Sequence, residues 1–230
     1  MRTSKRLKAI CEFVDKDDKI IDIGCDHALL DIYIKQLYPD INIIATDISE
    51  GAFKQAKKNI EKHNLDEDID VRLGDGLTVA DNDEYDTIII SGMGFYTIKE
   101  ILSDSTKLKN VKKIIVQSNT DVVKLRKTII KLGFKIDKEK LVLDKDIIYT
   151  IISFTLGSEK YDYKQIYFGP RLMENKDELF NEYYSKKLLK YENLLLQLPK
   201  NNIVSRMHHT KLIKILKEEI NCWFFKYYNI

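Results

Sequence analysis

Ile20-Ile21-Asp22-Ile23-Gly24-Cys25-Asp26-His27-Ala28 closes a short apolar run with a carboxylate and a glycine, and a helix-period pattern follows it. A second apolar run, Ile43-Ile44-Ala45-Thr46, ends in another carboxylate, Asp47, 25 positions after Asp22. The layout reads as strand, tight turn, helix and a parallel neighbouring strand. A chain that lays a nucleoside across strand tips needs this order. The first turn lets backbone approach the ligand, and a carboxylate after the second strand can hold two ribose hydroxyls.

Apolar β-rich runs recur at 19–23, 42–46, 69–73, 87–91 and 113–117. Segments of helical period lie between them, at 27–37, 50–63, 96–102 and 121–132. Strands alternating with helices predict βαβ units and a parallel sheet covered on both faces, an α/β fold. After Gly133 the pattern changes to two β-type runs, 134–143 and 147–156, separated by Asp144-Lys145-Asp146. These read as a hairpin at the sheet edge. Five parallel strands and a terminal hairpin resemble the Rossmann-like sheet of class I S-adenosylmethionine-dependent methyltransferases, not a dinucleotide dehydrogenase, whose second half repeats βαβ.

Beyond Gly157 the β signals stop. Tyr184, Leu188, Tyr191, Leu195 and Leu198 form one apolar seam, and Ile213, Leu216, Ile220, Trp223 and Tyr227 a second, with Pro199-Lys200-Asn201-Asn202 between them. This predicts an antiparallel helical hairpin, a coiled coil, at the carboxyl end. The expected organisation is a cofactor-binding domain over 1–158 and a helical extension over 159–230. The two seams can pair with each other or with a second chain, so either a monomer or a weak homodimer is expected.

The first turn also separates cofactors. A dinucleotide site carries G-x-G-x-x-G so that a pyrophosphate can rest on the helix amino terminus. Here only Gly24 is present, and Asp26 stands at the second glycine position. A carboxylate repels a pyrophosphate but not a sulfonium, which favours S-adenosylmethionine over NAD. The expected cofactor contacts are the Asp22–Asp26 turn with Gly24 and Cys25, Asp47-Ile48 at the ribose, Gly74-Asp75-Gly76 with a side chain reaching an adenine amino group, and Ser91-Gly92. Gly92 and Gly94 leave room beside Met93 for a flat base edge. Blander readings stand beside these: helix caps for Asp26 and Asp47, a first-turn histidine for His27, a plain loop for Asp75 and a simple turn at 91–94.

Composition excludes several classes. With 44% hydrophobic residues the chain can build a core, and no run of 18 apolar residues suggests a membrane span. Three separated cysteines without a CxxC suggest neither disulfides nor a zinc site. A basic amino terminus with no apolar signal core after it predicts a cytoplasmic protein. The net charge of +2 is uneven: residues 159–230 hold 13 Lys+Arg against 9 Asp+Glu. A basic tail of this kind suits phosphate contacts or, more blandly, a solvated surface.

At the level of whole motifs the chain resembles the bacterial tRNA (adenine-22, N1)-methyltransferases. The resemblance runs through Arg6-Leu7, Asp22-x-Gly24-x-Asp26-His27-Ala28, Asp47-Ile48, Ala56-x-x-Asn59-Ile60 and Arg72-Leu73-Gly74-Asp75-Gly76-Leu77. It continues in Gly92-Met93-Gly94, Gln117-x-Asn119, Leu125-Arg126 and Phe168-Gly169-Pro170. The chain departs from the family pattern at Asp31 and Ser118 (proline in the family), at Ala52 (the proline of a Gly-Pro) and at Phe95 (glycine). The resemblance implies methyl transfer to N1 of adenine-22 in tRNA, with Asp26, His27 and Met93 as candidates at the reacting base. It also implies tRNA contacts from Arg2, Lys5, Arg6 and Lys8 and from Lys186, Lys187, Lys190, Lys211, Lys214 and Lys217. No metal is expected. The rival readings are a small-molecule methyltransferase whose hairpin covers the site, and a non-catalytic RNA-binding protein.

Overall fold

The computed structural model describes residues 3–228, with side chains as far as Ile220. The apolar runs form five parallel strands: β1 (Lys19–Ile23), β2 (Asn42–Asp47), β3 (Ile69–Leu73), β4 (Thr87–Met93) and β5 (Lys113–Ser118). The hairpin is β6 (Phe134–Asp144) and β7 (Ile147–Leu156). All seven pair in the order β3-β2-β1-β4-β5-β7-β6, with β7 antiparallel to β5 and β6 at the edge. Strand order reverses between β1 and β4, which opens a crevice at their carboxyl ends where a ligand can sit.

The central strands are apolar at successive positions because both faces are covered. Ile21, Ile23, Ile88, Ile90, Ile114 and Val116 belong to one core layer. Ile20, Ile43, Ile89 and Ile115 belong to the other. The helices covering them are α1 (Lys5–Cys11), α2 (Leu29–Leu37), α3 (Glu50–Lys62), α4 (Phe95–Ile101) and α5 (Val122–Lys131). Helix α1 was not legible in the sequence, being only 7 residues, about two turns, of basic and apolar side chains. Ser4 caps it, accepting from the Leu7 N–H at 3.3 Å, and it buries Ala9, Ile10 and Cys11.

Two short helices follow the hairpin, α6 (Tyr163–Phe168) and α7 (Pro170–Glu174). The chain separates into two compact units, 1–171 and 172–230. The loss of β pattern after Gly157 therefore marks the end of β7, while α6 still belongs to the first unit. Arg126 holds it there, donating to the carbonyls of Ile166 and Tyr167 at 3.1 and 3.2 Å.

The second unit holds α8 (Glu178–Gln197) and α9 (Ile203–Tyr228). Cross-helix contacts run in opposite chain order: Arg206 donates to Leu195 O, His209 meets Tyr191, and Glu219 pairs with Lys176. The two helices are thus antiparallel. In α9 the buried apolar residues among those described are Leu212, Ile215, Leu216 and Ile220, with Ile213 only half-buried. Trp223 and Tyr227, the last members of that seam, lie beyond the described side chains.

Candidate active site

The strand tips open into a cleft of about 1150 Å³. Thirteen residues expected from sequence at the cofactor or the base line it together: Asp22, Gly24, Cys25, Asp26, His27, Asp47, Ile48, Gly74, Asp75, Gly76, Ser91, Gly92 and Met93. They converge because each sits at or just past the carboxyl end of one of the first four strands.

The first turn is built from backbone. Gly24 N–H and Cys25 N–H both donate to Thr46 O, at 2.8 and 2.9 Å, which ties the turn to the end of β2. Gly24 has φ +75°, and a Cβ there would stand 2.2 Å from Met93 Cε, so only glycine lets the β1 turn meet the β4 tip. Cys25 is buried and burial raises its thiol, so this residue offers the cleft backbone, not a thiolate. Asn59 on α3 anchors the far side, donating to His27 O at 2.9 Å.

Asp47 receives two backbone donors, Asp26 N–H at 3.1 Å on Oδ2 and Ser49 N–H at 2.9 Å on Oδ1. Ser49, not Asp47, caps α3, its hydroxyl accepting from Ala52 N–H. Each Asp47 oxygen keeps accepting capacity toward the cleft. Asp26 likewise caps nothing: α2 begins after Ala28 without a side-chain cap. Asp26 has φ +53°, is exposed in the cleft, and its Oδ1 lies 3.4 Å from His27 Nε2. Ile48 is 70% exposed at the lip. Asp75 is exposed after β3, on a loop that Arg72 holds through Val79 O at 2.8 Å and Glu84 at 2.6 Å.

Asp22 is buried beneath the turn, and Asp31 on α2 is buried against it. Neither Asp31 oxygen has a hydrogen-bond partner, and burial beside Asp22 favours a proton held between the two carboxyls. Burial pushes Asp22 up to about 7, with the charge of Asp47 adding to it, while the Asp31 carboxyl and Arg6 act the other way. Burial and then Asp22 raise Asp31 well above the usual carboxylate range. Folding therefore holds a proton that the unfolded chain loses above roughly pH 4. The folded state binds more protons in that window, so this pair's contribution falls as pH rises toward about 7. Asp31→Asn supplies a permanent donor and should remove the fall. Denaturant titrations at pH 5 and pH 8 should show the variant gaining on wild type at the higher pH. Parallel pH profiles would sink the shared-proton reading.

The other wall brings residues that sequence did not place here: Asn119, Tyr149, Thr97 and Lys107, together with Arg6. Arg6 leaves the row of surface cations. Its Nη1 donates to Gln117 Oε1 at 2.6 Å and its guanidinium lies 5.4 Å from the Tyr149 ring centre. Phe95 turns away from the cleft into the core, its N–H donating to Thr120 Oγ1 at 3.0 Å. The glycine-to-Phe95 departure therefore leaves the acceptor wall open. Lys5, Lys8, Lys186 and Lys190 are exposed, Lys186 pairs with Glu182, and Lys187 packs over Tyr183. Arg2 lies outside the described residues.

Charge tests what the cleft can hold. Besides the buried Asp22, its lining has five carboxylates (Asp26, Asp47, Asp75, Glu100 and Asp104) against two fixed cations, Arg6 and Lys107. That balance suits a sulfonium that also carries an ammonium group and opposes a pyrophosphate. No group of three or more His, Cys, Asp or Glu placed to hold a metal occurs among the described residues. With β7 inserted antiparallel beside β5, the sheet and its cleft define a class I S-adenosylmethionine-dependent methyltransferase.

Residues 20–220 match the family model TrmK, tRNA (adenine(22)-N(1))-methyltransferase. The chain belongs to that family. It is 30% identical over 205 residues to the tRNA (adenine(22)-N(1))-methyltransferase of Bacillus subtilis, covering 86% of each. The structure of a Streptococcus pneumoniae protein in complex with S-adenosyl-L-methionine superposes with a TM-score of 0.86 at 32% identity, over 94% of this chain and 99% of that one. The Mycoplasma capricolum TrmK structure with S-adenosyl-homocysteine gives 0.86 at 29% identity, over 96% and 99%. Among the described residues no helix is long and apolar enough to cross a membrane.

Proposed function

We propose that this chain moves the methyl group of S-adenosylmethionine to N1 of adenine-22 in tRNA. The observation that carries the reading is the acidic cleft at the switch point, in a chain whose family acts on that atom. When bound, the cofactor supplies an electrophilic methyl group on positively charged sulfur. Asp47 would hold the ribose hydroxyls with Ile48 against the nucleoside, Asp75 would take the cofactor's adenine amino group, and the Gly24–Asp26 turn would hold the amino-acid portion. The Ser91–Met93 tip of β4 would wall the site of transfer.

Adenine N1 has a free lone pair at neutral pH, so the chain needs no general base to expose the nucleophile. Its work is alignment and charge. N1 lies on the Watson–Crick edge, so a paired base must first leave its stack, at a cost of a few kcal/mol. Asp26 is placed to accept from the N6 amino group and to stabilise the positive charge that grows on the ring as N1 is alkylated. His27, beside its carboxylate, keeps Asp26 turned toward the base, and Met93 walls the pocket. Lys5 and Lys8, with the α8 and α9 lysines, are the candidates for tRNA phosphates.

Asp26→Asn keeps the left-handed backbone and the shape but removes the charge. It should lower turnover by about a hundredfold and leave S-adenosylhomocysteine affinity within about threefold, read by single-turnover transfer and calorimetry. Unchanged turnover would remove Asp26 from this role. The reading as a whole is tested by labelled methyl transfer to unmodified tRNA, to the same tRNA with guanine at position 22, and to a low-molecular-weight fraction. Label should enter only the adenine-22 tRNA; label in small molecules alone would favour the rival enzyme.

A further inference from the structure

We propose that Asn119 is a specificity residue that takes the N6/N7 edge of the target adenine, its amide fixed for that purpose by the buried Gln117 and by Arg6. The proposal rests on the adenine-N1 reading above and adds the contact that selects the base.

The β4–β5 register shifts between Ser91 and Met93, and Gly92 in between has φ +79°, so it forms a bulge. Both its backbone groups turn to side chains from the end of β5. Gly92 N–H donates to Gln117 Oε1 at 3.1 Å, and Gly92 O accepts from Asn119 Nδ2 at 2.7 Å. A second donor, Arg6 Nη1, reaches the same Gln117 oxygen at 2.6 Å. Neither a backbone N–H nor a guanidinium can accept, so Gln117 has one permitted orientation. Its Nε2 then donates to Asn119 Oδ1 at 3.0 Å. Asn119 is thereby set at both ends, its oxygen by a donor and its nitrogen by a carbonyl.

Gln117 is fully buried, whereas Asn119 is exposed and lines the cleft. An exposed asparagine has no need of a fixed orientation for stability, since water satisfies either rotamer. A fixed orientation matters when something must read donor against acceptor. After its internal bonds Asn119 keeps one acceptor position on Oδ1 and one hydrogen on Nδ2. That pair complements adenine, whose N6 amino group donates beside an accepting N7. Guanine presents two acceptors on the same edge, and its O6 would oppose Oδ1. Contact on the N6/N7 edge also leaves N1 free to meet the methyl group. The amino group has two hydrogens, so Asn119 on the N7 side and Asp26 on the N1 side do not compete.

The test uses tRNA carrying adenine or 7-deazaadenine at position 22, a probe that keeps N1 and N6 and loses only N7. Wild type should methylate the 7-deaza tRNA about tenfold more slowly in single turnovers, a difference of ~1.4 kcal/mol. In Asn119→Ala the adenine rate should fall about tenfold and the ratio of the two tRNAs should approach one. Gln117→Glu keeps Arg6 and Gly92 as partners but sets an oxygen against Asn119 Oδ1, and should lose the discrimination too. Affinity for S-adenosylhomocysteine should stay within about twofold in both, since neither residue is assigned to the cofactor. Equal rates on the two tRNAs with wild type, or an unchanged ratio in Asn119→Ala, would overturn the role of Asn119. Absence of transfer to adenine-22 tRNA by wild type would instead overturn the underlying reading.

Discussion

Asp47→Ala weakens S-adenosylhomocysteine binding by about a hundredfold or more, each charge-assisted bond to a hydroxyl being worth ~1.5–3 kcal/mol. The residue sits at the tip of β2, and two backbone N–H groups from opposite sides, Asp26 and Ser49, hold its carboxylate in place. A carboxylate so held meets a ribose diol without losing rotamer freedom on binding, which is why its removal costs more than that of a mobile surface acid. The same change releases Asp26 N–H, so turnover at saturating cofactor should also fall. Asp47→Asn keeps one acceptor and the shape, and should lose about tenfold. Isothermal titration reads both. An affinity unchanged in Asp47→Ala would take the ribose off this residue.

Arg126→Met destabilises the first unit by about 3–5 kcal/mol by breaking a buried ion pair. Arg126 and Glu139 are 1% and 0% exposed, with Nε 2.7 Å from Oε1. Glu139 also accepts from Arg171 N–H at 3.0 Å, so the pair ties α5, β6 and the 166–171 segment together. Removing the cation takes from the buried Glu139 carboxylate the guanidinium that meets it at 2.7 Å. At ~2–4 °C per kcal/mol for a unit of this size, the melting midpoint should drop by about 10 °C. Arg126→Met with Glu139→Leu should recover much of the loss, because an apolar pair replaces both charges. Gly169→Ala should act through the same pair: at φ +93° its Cβ would stand 2.6 Å from Arg126 Nη2 and from Glu139 Oε2. A shift of under about 2 °C in Arg126→Met would show the pair to be dispensable.

These two sites differ in how far sequence reveals them. Asp47 was legible because it ends an apolar run at a fixed distance from the first turn, and strand tips on one side of a parallel sheet must converge. The five parallel strands were legible for the same reason: buried parallel strands cannot hide their apolar runs. Arg126, Gly169 and Glu139 were visible at most as motif letters. Their partnership spans 13 to 43 positions across three elements, and no local periodicity encodes it. Arg6 is the sharpest case. As a sequence it reads as one of several amino-terminal cations, but its partner Gln117 lies 111 positions away and draws it into the cleft. Asp31 reads as a departure on a helix, and only the fold sets it against Asp22 beneath the cofactor turn. Helix α1 was missed because seven residues carry too little pattern to stand out from a basic arm.

This cleft delivers a methyl group to one ring nitrogen of one base. The most direct measurement is nuclease digestion of tRNA modified by the wild-type enzyme, with mass-spectrometric placement of the methyl group. The expected product is a single N1-methyladenosine at position 22. A methyl group on the exocyclic N6, or at another nucleotide, would contradict the assignment.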